Sequence, residues 1–383
     1  MDVGEVFEVS GVSPEIKLIV SELSFHCICL SHIFSFTDNN FIKMEKQHLY
    51  FVDWMKSLGM WVIVLGHFFP PFLQYFTYSF SVQLFFFISG FLFHYEKSYK
   101  QFFLKNGITL FIPYLIWGIL VNLPFYLKGQ SLTVLCHSLE GILLGFHNFK
   151  GAPGCGGLWF IMTLFWIKFL TQTLGKIRYG IFVFLLLCLP MAVVYRNAID
   201  GAAMEYWGMS VGNIFVSYPF FALGFYLSFY KRQVVSFAEL VKLNRGKMLT
   251  VCSLGGGILM FLLAPSNGVV YMIYGGYGNY FSLYLLNGMA GIVVVFLCSL
   301  LLEKTRWTQY TRYINVGSIM ILATHMFLVS RLNPLLINIL GDYEFAYELS
   351  TVAMSVLILA LFIPAIKLVQ RYFSIALGNR VIK

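Results

Sequence analysis

Residues 280–302 read YFSLYLLNGMAGIVVVFLCSLLL, an uninterrupted run from Tyr280 to Leu302 without an Asp, Glu, Lys or Arg. As an α-helix rising about 1.5 Å per residue, such a run is long enough for the roughly 30 Å of hydrocarbon in a bilayer. As a strand of a membrane barrel it fails, because Ile292 to Leu302 do not alternate between apolar and polar positions. Runs of the same kind recur along the chain. Their approximate limits are 57–73, 79–95, 107–127, 156–175, 180–196, 212–230, 248–265, 280–302, 314–331 and 350–370. The fold class that follows is an all-α integral membrane protein, a polytopic helical bundle of about ten transmembrane helices.

The composition agrees. Of 383 residues, 59% are apolar and 11% charged, against about 45–50% and about 25% in soluble domains. That balance excludes a water-soluble enzyme, a nucleic-acid module and a disordered scaffold. The net charge of +9 is explained by where the basic residues fall. With an even number of spans and the N-terminus inside, Lys43, Lys46 and Lys56 face the cytoplasm, as do Lys97, Lys100 and Lys105. Lys168, Lys176, Arg178, Lys231, Arg232, Lys242, Arg245 and Lys247 follow, then Lys304, Arg306, Arg312, Lys367, Arg371, Arg380 and Lys383. Only Lys128, Lys150, Arg196 and Arg331 fall on the outer side. This asymmetry puts both termini in the cytoplasm. Membrane lipids rather than nucleic acid are the expected partners of the charge.

Residues 1–43 differ from the rest. They carry Asp2, Glu5, Glu8, Glu15, Glu22 and Asp38 with a single basic residue, Lys17, before Lys43. An acidic start is the wrong sign for a signal peptide. The segment reads as an N-terminal extension or a mis-assigned start, with the membrane domain running over 44–383. The seven cysteines have no zinc-type spacing, so no metal site is expected. Cys136 and Cys155 share an outer loop and form the one candidate disulfide.

Ionisable groups inside hydrocarbon are costly, so each is a functional candidate. His67 lies 11 positions after Lys56 and His325 13 after Arg312, on spans of the same direction. The two imidazoles therefore fall at comparable depth, where they can serve as acid and base. The alternative for each is a neutral histidine bonded to a neighbouring helix, or a station on a proton path.

The surrounding words add context. Asp53-Trp54-Met55-Lys56 precedes His67 by ten intervening residues, and the second span holds Phe85-Phe86-Phe87-Ile88-Ser89-Gly90-Phe91. Pro113-Tyr114, Leu158-Trp159-Phe160-Ile161 and Asn315-Val316-Gly317-Ser318-Ile319 follow in order, with His325 seven positions after the serine. From about residue 49 onward this sequence resembles the type-three family of membrane acyltransferases, most closely its fucose O-acetylase-like branch.

The resemblance implies an O-acyltransferase, most simply an O-acetyltransferase of the cytoplasmic membrane. The acyl group would pass from cytoplasmic acyl-CoA, commonly acetyl-CoA, to a hydroxyl of a cell-surface glycan or its precursor. No permanently bound cofactor is implied. Lys56 and His67 take the places of the family's basic residue and essential histidine, and His325 is the second catalytic candidate. Lys97, Lys100 and Lys105 stand where relatives carry donor-binding arginines, although topology alone also accounts for them. Trp159 reads as a boundary anchor or a stacking surface for a sugar; Asn315 and Ser318 either orient the site or bond between helices. Ser89 and Gly90 suit a close helix crossing. The competing class is a proton-coupled transporter of a small solute, for which the two halves of the chain lack a convincing pair of broken segments.

Overall fold

The computed structural model describes residues 48–200, 212–243 and 247–378. The expected extension over 1–43 lies outside them. Almost everything described is helical. Helix α1 (Tyr50–Gly66) and α2 (Leu73–Phe91) pack as a pair, and α3 (Tyr99–Asn106) runs through a π-helical turn at Gly107–Phe111 into α4 (Ile112–Tyr126). Helix α5 (Leu132–Leu144) leads to a two-residue hairpin, β1 (Asn148–Phe149) and β2 (Ala152–Pro153), in the register Asn148 to Pro153 and Phe149 to Ala152. Then come α6 (Trp159–Leu174), α7 (Gly180–Asp200), α8 (Ile214–Phe229), α9 (Lys231–Leu243) and α10 (Lys247–Asn267). The chain closes with α11 (Phe281–Leu302), α12 (Thr308–Val316), α13 (Ser318–Leu340) and α14 (Glu344–Tyr372).

Among the described residues, 5 helical stretches are long and apolar enough to cross a membrane: Tyr99–Tyr126, Gly156–Leu174, Phe281–Leu302, Ser318–Leu340 and Glu344–Tyr372. Each apolar run of the sequence is occupied largely by helix, with several departures. The first run ends at Gly66 rather than 73. Phe69 takes φ 52° and Pro70-Pro71 follow, and a proline can neither donate to the helical ladder nor leave its predecessor helical. His67 consequently caps the end of α1 instead of lying within it. The ninth run is split at Gly317 into α12 and α13. Helices α3, α5 and α9, each between two of the expected spans, have no counterpart among them.

Helix α1 is tied to its neighbours by indole hydrogen bonds: Trp54 Nε1 donates to Thr308 Oγ1 of α12 at 3.0 Å, and Trp61 Nε1 to Ser355 Oγ of α14 at 2.9 Å. With no water to compete, such bonds hold membrane helices together at about 0.6–2 kcal/mol each. Helices α2 and α8 approach most closely at two reciprocal glycines. A Cβ on Gly90 would collide with the Phe221 carbonyl, and one on Gly224 with the Phe87 carbonyl. The Ser89-Gly90 word thus marks a backbone crossing. Cys136 is exposed and Cys155 buried, and both are free thiols, which corrects the expected pairing.

Candidate functional site

The C-terminal end of α1 and the first half of α13 build the site. At the C-terminal end of α1, the His67 Nδ1 donates to the Ile63 carbonyl at 2.7 Å. Two turns into α13, His325 Nδ1 donates to the Ile321 carbonyl at 2.8 Å. A carbonyl can only accept, so in each neutral ring the hydrogen sits on Nδ1 and the lone pair on Nε2. The backbone here does what a buried carboxylate does in a Ser-His-Asp triad, fixing tautomer and ring orientation. The two rings meet nearly perpendicular, centroids 4.7 Å apart and planes at 78°. His325 is buried, 1% exposed, and among the described residues its Nε2 has no hydrogen-bond partner.

Both imidazoles line one cavity of about 380 Å³, a size common for small-ligand sites. Its walls are mostly apolar, and among the described residues that line it none is Asp, Glu, Lys or Arg. Ser318, at the start of α13, lies on its wall, as does Trp159, at the start of α6. Trp159 is 6% exposed. A ring so enclosed is no anchor in a lipid interface, which corrects that reading and leaves the stacking one.

The remaining candidates lie elsewhere. Lys56 is half-buried near the other end of α1; 11 residues of helix separate it from His67, about 16 Å. Asn315 is near that same end, with Nδ2 donating to the Asp53 carbonyl at 3.3 Å. It does not reach the cavity. Lys97, Lys100 and Lys105 are exposed after α2, and the Lys105 ammonium pairs with the Glu96 carboxylate. The structure therefore joins His67, His325, Trp159 and Ser318, and separates them from Lys56, Asn315 and the three lysines.

Sequence reasoning missed Tyr78, His147, Tyr271 and Tyr274, all on the cavity wall. Tyr78 stands 6.2 Å from the His67 ring and 5.7 Å from Tyr271. The last three enter from connections between helices, where no periodicity marks a side chain as inward-facing. The one local signal is turn chemistry, the glycines Gly145, Gly151 and Gly275 at positive φ.

A family model described as an acyltransferase domain matches residues 49–369. No curated protein and no solved structure matches the chain.

Proposed function

The chain belongs to the acyltransferase 3 family, and from that premise we propose an O-acyltransferase that moves an acetyl group from cytoplasmic acetyl-CoA to a hydroxyl of an extracytoplasmic glycan. The observation that carries this reading is the pair of imidazoles, His67 and His325, on a cavity whose described lining holds no Asp, Glu, Lys or Arg. A sugar hydroxyl is a weak nucleophile at neutral pH. A base whose lone pair is fixed on Nε2 removes the proton as the oxygen attacks the thioester carbonyl. The carbon–sulfur bond then breaks, and the proton returns from the imidazolium to the departing thiolate. One ester and one thiol are formed, and the histidine is restored.

His67 is the proposed base, and His325, with the same tautomer, is proposed to accept a hydrogen bond from the protonated His67 ring beside it. The mostly apolar walls favour this chemistry, since a hydrogen bond to a developing charge is stronger where water is scarce. Trp159 is the proposed face on which the sugar rests, and Ser318 a donor at the inner end of the cavity. Lys56, near the opposite end of α1, is proposed to attract the donor's phosphates, with Lys97 and Lys100 as point charges on the same side. Lys105 contributes less because Glu96 already neutralises it, and Asn315 steadies the end of α1 that carries Lys56.

The proposed topology has about ten crossings of the cytoplasmic membrane with both termini inside, supported by the basic residues gathered on one side. The membrane domain is proposed to begin near residue 44, and the nearest branch to be the fucose O-acetylase-like one. Mass spectrometry of surface glycans from cells with and without the gene tests the reading: loss of an acetyl ester with the gene supports it, and identical glycans refute it.

A further inference from the structure

The neutral imidazole pair is short of hydrogens. Each ring gives its N–H to a backbone carbonyl, His67 to Ile63 and His325 to Ile321, and keeps only an Nε2 lone pair. Attack on a thioester also drives negative charge onto the carbonyl oxygen, and that charge is stabilised by donors already aimed at it. Resting on the acyltransferase reading above, we propose that Tyr78 and Ser81 of α2 are those donors: their hydroxyls hydrogen-bond the thioester oxygen as the sugar hydroxyl attacks.

Hydroxyls on an apolar helix commonly bond back to their own backbone, and two neighbours of the pair do so. Thr77 Oγ1 donates to the Gln74 carbonyl at 3.2 Å and Ser79 Oγ to the Phe76 carbonyl at 2.8 Å. Tyr78 and Ser81 instead line the cavity, and neither hydroxyl makes a hydrogen bond among the described residues. Nor is either oxygen sealed off, as the unbonded Nε2 of His325 and Nδ1 of His147 are. Both are open to a ligand in the cavity. Three residues apart on a helix, their Cβ atoms lie about 5–6 Å from each other. Val82 and Phe85 follow on the same face and give the donors apolar surroundings, where a hydrogen bond to a charged oxygen is strongest.

Base and donors share one helix crossing. An added Cβ on Gly66, the residue before His67, would meet Thr77 Oγ1 at 2.9 Å and the Tyr78 ring at 3.2 Å, so the end of α1 lies directly against this turn of α2. The Tyr78 ring stands 6.2 Å from that of His67 and 6.4 Å from Phe69, on which it stacks at 27°. Donors held in this way need no reorganisation as charge develops. The carbonyl oxygen takes up the π-electron pair, accepts both hydrogen bonds without taking a proton, and returns the pair as the carbon–sulfur bond breaks.

The test uses the full-length protein in lipid nanodiscs, labelled acetyl-CoA and, as acceptor, the glycan isolated from cells lacking the gene. Tyr78→Phe and Ser81→Ala each remove one hydroxyl. Each should lower kcat by at least about tenfold, up to the loss of about 10²–10³-fold typical of one such donor. The KM values for acetyl-CoA and glycan should stay near wild type, because the lost bond is made only in the transition state. Ser81→Thr, which keeps the hydroxyl, should recover most of the loss. Ser79→Ala is the control: its hydroxyl is spent on its own helix, and its kcat should match wild type. If Tyr78→Phe does not insert into membranes, Ser81→Ala and Ser81→Thr decide. A smaller fall in kcat in either variant, a loss carried by KM, no recovery in Ser81→Thr, or an equal loss in Ser79→Ala would overturn the proposal. Wild-type protein that transfers nothing to the glycan would instead overturn the acyltransferase reading on which it rests.

Discussion

The His67 and His325 imidazoles meet edge to face at 4.7 Å, and each is held through Nδ1 by the carbonyl four residues before it, Ile63 and Ile321. Groups that act as a unit are not additive. Replacing His325 with Ala should lower turnover about 10²–10⁴-fold, the range for loss of acid–base assistance, and the His67→Ala/His325→Ala double variant should be little worse than either single one. Steady-state release of coenzyme A thiol checks this; strictly multiplicative losses would mean that the two rings work independently.

Lys56 sits on the same helix as His67 but outside the cavity. Lys56→Ala should raise the KM for acetyl-CoA, and Lys56→Arg should be tolerated, because a positive charge is what the phosphates require. Donor titrations at two ionic strengths give the measurement. The wild-type advantage should shrink in salt.

The three lysines after α2 should separate. Lys97→Ala and Lys100→Ala should each weaken donor binding, whereas Lys105→Ala should change little, since its ammonium is paired with Glu96 and is 62% exposed. Exposed pairs of this kind are worth about 0–1 kcal/mol. Equal donor KM values for all three variants would assign these lysines to topology alone.

Gly90→Ala should damage the bundle rather than the chemistry. The new methyl meets the Phe221 carbonyl of α8, and backbone at a helix crossing cannot step aside as a side chain can. Overpacking of this sort costs about 1–3 kcal/mol, which should appear as a lower midpoint of thermal unfolding in detergent. Gly257→Ala, where an added Cβ meets nothing within 4 Å, is the control.

The long helices were legible because each is an apolar run in a polar-poor chain, and the expectation that His67 and His325 fall at a comparable level agrees with their rings meeting at 4.7 Å. Two features of the site were not. Helix α1 begins at Tyr50, ahead of its apolar run, since backbone hydrogen bonding continues through Asp53 and Trp54 once α12 and α14 pack against it. The enclosure of Trp159 depends on Gly157 lying against α13, where an added Cβ would sit 3.3 Å from the Leu322 carbonyl. Nothing in the local sequence states that contact. His147, Tyr271 and Tyr274 come from irregular segments, whose inward face is set only by tertiary structure.

The central claim is that His67 is the base in acyl transfer. Its most direct test is transfer of labelled acetyl from acetyl-CoA to the glycan of gene-deleted cells, by wild-type and His67→Ala protein brought to equal amounts in membranes. The account predicts transfer by the wild type and, in the variant, a fall of at least about 10²-fold. Transfer by His67→Ala at the wild-type rate would contradict it.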